Sequence, residues 1–155
     1  MAECTVVFGD LLDQPVDAIV NPWNSNVIPW WLLLPQGVSG AIRKRAGAEA
    51  FHSLTTAGFL KPGTAIYAKA GKLTFKGIIH VAGLTPFWTT SEAIIQTCVK
   101  NAIQMALSKG FTSLAFPLLG SGVGGQNPDA VAQLIRETAA ESDAPIAISI
   151  VIHQR

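Results

Sequence analysis

Near-continuous apolar runs separated by segments of helical period constrain this chain most. Ala18-Ile19-Val20 and Leu114 to Pro117 carry no polar interruption, and Ile146 to Ile152 carries little. Such runs fit strands covered on both faces, the signature of parallel sheets. Thr5 to Phe8, Thr64 to Ala68 and Gly77 to Val81 read as further strands. Asn21-Pro22 reads as the end of the second strand. Between the later strands lies the best helix, about Thr90 to Lys109. There Ile94, Ile95, Cys98, Val99, Ala102, Ile103, Ala106 and Leu107 repeat on one face. Thr89 and Glu92 have capping-box spacing, and Gly110 is the expected left-handed stop. Asn127-Pro128 supplies an N-cap and a first-turn proline for a helix running to about Ala140. Gly37 to Ala57 also reads as helical, with Ala41, Ile42, Ala46, Ala50 and Leu54 on one stripe and Gly47 dividing it. Strands alternating with helices give an α/β class, with helices on both faces of a largely parallel sheet.

Composition narrows the function. The 155 residues fit one domain, 1–155. Hydrophobic residues make up 49% and charged residues 14%, which excludes disorder. A net charge of +1 argues against a broad nucleic-acid footprint. The longest apolar stretch, Val27 to Pro35, is interrupted by Pro29 and falls far short of the ~20 residues that span a bilayer. Met1-Ala2-Glu3-Cys4 has no basic signal-peptide region. Cys4 and Cys98 form no ligand spacing, and His52, His80 and His153 are scattered. No metal or cofactor is expected. Free buried thiols in a reducing, cytoplasmic setting are the simplest reading.

Three segments could carry chemistry. Gly120-Ser121-Gly122-Val123-Gly124-Gly125 follows a strand and precedes a helix, so successive amides can approach an anion. It fits G-x-G-x-x-G, but the position twenty residues beyond Gly125 is Pro145 rather than an acid, which tells against a dinucleotide oxidoreductase. Gly9-Asp10 puts a carboxylate at a strand end, where it can accept from an exocyclic amino group or cap a turn. Asn21, Asn24 and Asn26 cluster after a buried strand, and an amide offers the donor and acceptor that suit a ribose diol. Asp13 and Asp17 read as turn residues, and His80 as a satisfied strand histidine. Lys69, Lys72 and Lys76 read as a solvated hairpin.

Taken in order, Gly9-Asp10, Val16 to Asn24, Gly37 to Gly47, Ile79-His80 and Phe116 to Gly125 resemble the macro domain family of ADP-ribose-binding modules. The resemblance covers essentially the whole chain. It implies a three-layer α/β/α sandwich with a mixed, mostly parallel six-stranded sheet. It implies that Asp10 accepts from the adenine amino group, with a backbone contact from Leu11 and His153 beside the base. Asn24 would contact the distal ribose, and Asn21 would shape that wall. Gly37, Val38, Ser121, Gly122, Val123 and Gly124 would cradle the diphosphate. The expected partner is ADP-ribose, free or on a modified macromolecule, rather than a membrane or nucleic acid.

Two departures bear on turnover. Hydrolytic relatives commonly carry an aspartate where this chain has Ser39, and a glycine-rich loop where it has Val27 to Gln36. A serine lacks the charge and basicity of a carboxylate. Binding with weak or no turnover is therefore the leading expectation, with Asn24 and Ser39 as the catalytic candidates if it is an ADP-ribosyl hydrolase. A nucleotide or poly(A)-type binder using the three lysines is the remaining alternative. Trp30-Trp31-Leu32-Leu33-Leu34 is expected to fold over the distal ribose or to bury itself in a homodimer interface.

Overall fold

The computed structural model describes residues 3–24, 37–51, 54, 60–84, 90–119 and 127–153. Six strands form one sheet: β1 (Glu3–Gly9), β2 (Ala18–Asn24), β3 (Ala65–Ala68), β4 (Gly77–Leu84), β5 (Ser113–Phe116) and β6 (Ala147–His153). Their spatial order is β1-β6-β5-β2-β4-β3. Every neighbouring pair is parallel except β3 with β4. The helices described from end to end are α1 (Gly37–Ala46), α2 (Glu92–Ser108) and α3 (Pro128–Ala140), with short 3-10 turns at Leu11–Asp13 and Ala48–Phe51.

Strand periodicity divides the core into two layers. Ala18, Val20, Ile79, Val81, Leu114, Phe116, Ile148 and Ile150 point towards α2 and α3. Ile19, Trp23, Ile78, Ala82, Ala115 and Val151 point towards α1 and the 3-10 turns. Both faces of β2 are thus covered, which explains its unbroken apolar run. The expected three-layer α/β/α sandwich with a mixed, mostly parallel six-stranded sheet is the observed one.

Several local expectations need correction. β2 does not stop at Asn21-Pro22 but continues to Asn24. Its pairing with β5 covers only Ala18↔Leu114 and Ile19↔Ala115, whereas its pairing with β4 continues through Pro22↔Val81. Pro22 therefore lies where β2 is laddered on one side, and a missing amide is tolerated as on an edge strand. The N-cap of α2 is Ser91 rather than Thr89, with its Oγ accepting from the Ile94 amide at 3.2 Å. Glu92 then opens the helix, where its charge complements the dipole. Ala41 is exposed while Ile42 and Ala46 are buried, and Cys4 is only half-buried.

Other sequence signals appear as expected. Gly110 has φ +76 and ends α2, its amide reaching the Leu107 carbonyl at 3.0 Å. Asn127 Oδ1 accepts from the Ala130 amide at 3.1 Å, with Pro128 first in α3. Gly71, at φ +60, lets the β3–β4 connection close on the end of α1. A Cβ there would meet the Ala46 carbonyl oxygen, which already accepts from Lys72 N at 3.0 Å.

At the amino end of β2, Asp17 clamps β5 and β4. Its Oδ2 accepts from the Thr112 amide at 2.8 Å and from Thr112 Oγ1 at 3.2 Å, while Oδ1 lies 3.4 Å from Lys76 Nζ. The Thr112 amide, and secondarily the Lys76 ammonium, hold this carboxyl below its ordinary value of 3.8. The clamp's contribution is complete above that value and is lost as pH falls through the lower folded-state value. Asp17→Ala should cost about 1–2 kcal/mol in urea denaturation, the scale of a charge-assisted hydrogen bond near the surface. Asp17→Asn, which keeps an acceptor, should cost less. Both should flatten the acid limb of stability against pH.

Candidate functional site

A parallel sheet gathers the carboxyl ends of its strands on one rim. Here Gly9, His153, Phe116, Asn24 and Leu84 end β1, β6, β5, β2 and β4. From β5 the chain crosses through α3 to β6. From β2 it leaves the other way, through α1 towards β3 and β4. Adjacent strands whose connections diverge leave a crevice at their carboxyl ends, the usual ligand position in open α/β sheets. The crevice opens early, because β2 runs five residues beyond Ile19, its last partner position on β5. The chain segments 25–36 and 120–126, which follow β2 and β5 in the sequence, lie outside the described residues.

Asp10 comes directly after β1. Its backbone is extended and its Oδ1 accepts from the Leu12 amide at 2.9 Å, capping the turn Leu11–Asp13. The Asp10 carbonyl accepts from Gln14 Nε2 at 3.0 Å. The capping alternative raised by the sequence is thus realised, and it orients the carboxylate on the rim. Leu11 and Leu12 are buried beneath it. Gly9 pairs with His153, so Asp10 adjoins a residue that lies in register beside His153 on the neighbouring strand.

Asn21 sits just past the point where β2 leaves β5, and it is fully buried. Its Nδ2 lies 2.9 Å from Nδ1 of His80, its register partner on β4. The other ring nitrogen, Nε2, lies 2.6 Å from the Ala50 carbonyl. A carbonyl only accepts, so Nε2 carries the proton and Nδ1 accepts from Asn21. His80 is therefore satisfied at both nitrogens, and burial pushes its pKa down to about 4. Asn21, expected to shape the ribose wall, is thus a buried side chain tied to β4 through His80.

Asn24 is reached through an irregularity. Trp23 pairs with Ala82 but Asn24 with Leu84, so Gly83 is an extra residue in β4. A bulge at a strand end re-aims the residues beyond it. Neither Gly83 nor its bulge stands out in the sequence. The one available signal is a glycine inside an apolar strand run. Gly37, Val38 and Ser39 form the first turn of α1. Ser121, Gly122, Val123, Gly124 and the run Trp30 to Leu34 lie outside the described residues. Among the described residues no three His, Cys, Asp or Glu side chains gather as metal ligands, and no helix is long and apolar enough to cross a membrane.

The basic connection lies at the other end of the sheet. Lys69, Lys72 and Lys76 lie between the end of β3 and the start of β4, all exposed, and Lys76 pairs with Asp17. The eight residues of β4 separate them from the crevice, about 26 Å at the usual rise.

The Macro domain family profile matches residues 20–135. The chain belongs to the macro domain family. It is 34% identical over 144 residues to an O-acetyl-ADP-ribose deacetylase of Citrobacter rodentium, covering 88% of this chain and 77% of that protein. A macro domain-containing protein of Streptomyces griseus is 32% identical over 151 residues, covering 91% and 81%. Among solved structures, an Oceanobacillus iheyensis macrodomain mutant with ADPR superposes with a TM-score of 0.79 at 25% identity, covering 95% of this chain and 83% of that one. The macrodomain of Mycobacterium tuberculosis DarG shares the fold, with a TM-score of 0.79 at 21% identity over the full length of both chains.

The buried imidazole makes this macro domain's stability depend on pH. Its folded-state value, about 4, lies below the ordinary 6.5. The unfolded chain therefore binds the proton first, and stability falls as pH drops from 6.5 towards 4. At 1.36 kcal/mol per unit the loss amounts to roughly 3 kcal/mol. Nitrogen-15 NMR should show His80 neutral, with the proton on Nε2, down to pH 5. A titration midpoint near 6.5 in the folded protein would contradict this geometry.

Proposed function

We propose that this macro domain binds ADP-ribose, free or as a mono-ADP-ribosyl group on a macromolecule, with weak or no turnover. The observation that carries the reading is the likeness, over nearly the whole chain, to a macrodomain solved with ADPR. The order of elements along the rim supports it. Asp10 and Asn24 follow or end strands three positions apart, β1 and β2, with the glycine segment leaving β5 between them. Three spacings of about 4.8 Å give roughly 14 Å. That span suits a ligand with an adenine at one end, a ribose at the other and a diphosphate in the middle.

In this reading Asp10 accepts from the adenine amino group, with Leu11 adding a backbone contact and His153 beside the base. Amides of Gly37, Val38 and the segment Ser121, Gly122, Val123, Gly124 take the diphosphate. Asn24 takes the distal ribose. Ser39 sits in the first turn of α1, at the position where hydrolytic relatives carry an aspartate. It can orient a water but cannot act as a carboxylate base, a difference of about 10²–10⁴ in rate.

The name of the Citrobacter rodentium relative favours a second reading, deacetylation of O-acetyl-ADP-ribose. The two readings part on turnover. A time course with O-acetyl-ADP-ribose and with ADP-ribosylated protein should show slow or no release by the wild type, and a faster one for Ser39→Asp. Fast wild-type turnover, abolished by Asn24→Ala, would establish the hydrolase instead.

Calorimetry tests the adenine contact. Asp10→Ala should weaken ADP-ribose binding by about 1.5–3 kcal/mol, the range for a hydrogen bond to a charged group. Because Asp10 also caps a turn, the same change should cost about 1 kcal/mol of stability. An unchanged dissociation constant in a destabilised protein would leave Asp10 as a cap alone.

A further inference from the structure

We infer that His80 is a positioning residue for the distal-ribose end of the crevice, acting from the core through Asn21, Trp23 and Phe51. The inference rests on the ADP-ribose reading of the site. The geometry lies in the layer facing α1. His80 joins three elements: its own strand β4, Asn21 on β2 at 2.9 Å, and the Ala50 carbonyl in the 3-10 turn after α1 at 2.6 Å. The next residue of that turn, Phe51, packs at a tilt against the imidazole, with ring centroids 5.3 Å apart and planes at 36°. Phe51 also meets the Trp23 ring, at 5.6 Å. Asn21 and Trp23 project to one face of β2 and flank its last residues. The turn Ala48–Phe51 thus grips β2 twice, once by hydrogen bonds and once by rings, immediately before Asn24.

This grip falls beyond Ile19, the last β2 residue in register with β5, and beside the bulge at Gly83 in β4. The His80 group adds a constraint from the face of the sheet. An imidazole suits the task because it accepts on one side and donates on the other while remaining neutral. A leucine would fill the space but leave the Asn21 amide without that partner. A glutamine offers the same acceptor and donor on one side chain.

A role confined to stability would weaken all ligands alike. A positioning role at Asn24 should act on the distal ribose and spare the adenine and diphosphate. The test measures ADP-ribose and ADP affinities by calorimetry for the folded wild type, His80→Leu, His80→Gln and Phe51→Leu. His80→Leu should lower the ratio of ADP-ribose to ADP affinity by about tenfold, the scale of one net hydrogen bond. ADP affinity should stay within about twofold. His80→Gln should restore most of the ratio. Backbone amide NMR of unliganded His80→Leu should show the Asn24 signal displaced, while those of Asp10 and Leu11 stay put. If His80→Leu does not fold, Phe51→Leu decides, since it loosens the same grip while keeping both hydrogen bonds. Equal weakening of both ligands, or an unchanged ratio, would overturn the inference alone. Failure of the wild type to bind ADP-ribose would overturn the functional reading beneath it.

Discussion

The parallel ladder between β2 and β4 is the constraint on which the rest depends. Among the described residues, seven of β2 are in register with β4 and two with β5. Parallel pairing forces each connection to cross a face of the sheet, so helices must cover both sides. It also gathers the strand ends on one rim. A crevice then opens where the chain leaves β2 and β5 in opposite directions. The site is in this sense a consequence of topology, and the individual side chains refine it.

Much of this was legible in the sequence because two-sided burial leaves a strong trace. Ile146 to Ile152 and Leu114 to Pro117 announced covered strands, and the apolar face of α2 announced its packing. Local signals with competing solutions were less informative. Thr89 and Ser91 are both competent caps, and nothing in the spacing of the helix distinguishes a start at Thr90 from one at Glu92. Pro22 signalled a strand end, yet it lies beyond the last register pair of β2 with β5, where a residue without an amide is tolerated. Where one ladder ends and another continues is a tertiary fact, invisible in a string of residues.

The amide cluster shows the same limit in the candidate site. Asn21 and Asn24 looked alike as ribose ligands. The two positions are three residues apart on one strand, with a register shift between Trp23 and Asn24. Asn21 went to the core, where a polar group is acceptable only with a partner. Its partner, His80, lies on a different strand 59 residues away. The sequence reading of His80 as a satisfied histidine was sound, but it could not say which groups satisfied it or that one of them would be Asn21.

Charge is distributed along the same axis of the sheet. Arg43, Lys44 and Arg45 sit in the last turn of α1, where cations offset the carbonyl end of the helix. Lys69, Lys72 and Lys76 lie at the same amino-end rim, far from the crevice. The carboxyl-end rim instead receives the starts of α1 and α3, each leading out of the sheet from a parallel strand. An anion held there meets backbone amides and helix dipoles before it meets basic side chains. Recognition by amides depends on the geometry of the anion more than on its charge, and it adds little net charge to the protein. In the proposed reading, a chain with net charge +1 suits a compact diphosphate better than a polyanion. A polyanion's affinity grows with the number of phosphates that cations neutralise. The separation of the lysines from the crevice thus supports the proposed reading, in which the ligand is a single small nucleotide and not a nucleic-acid strand.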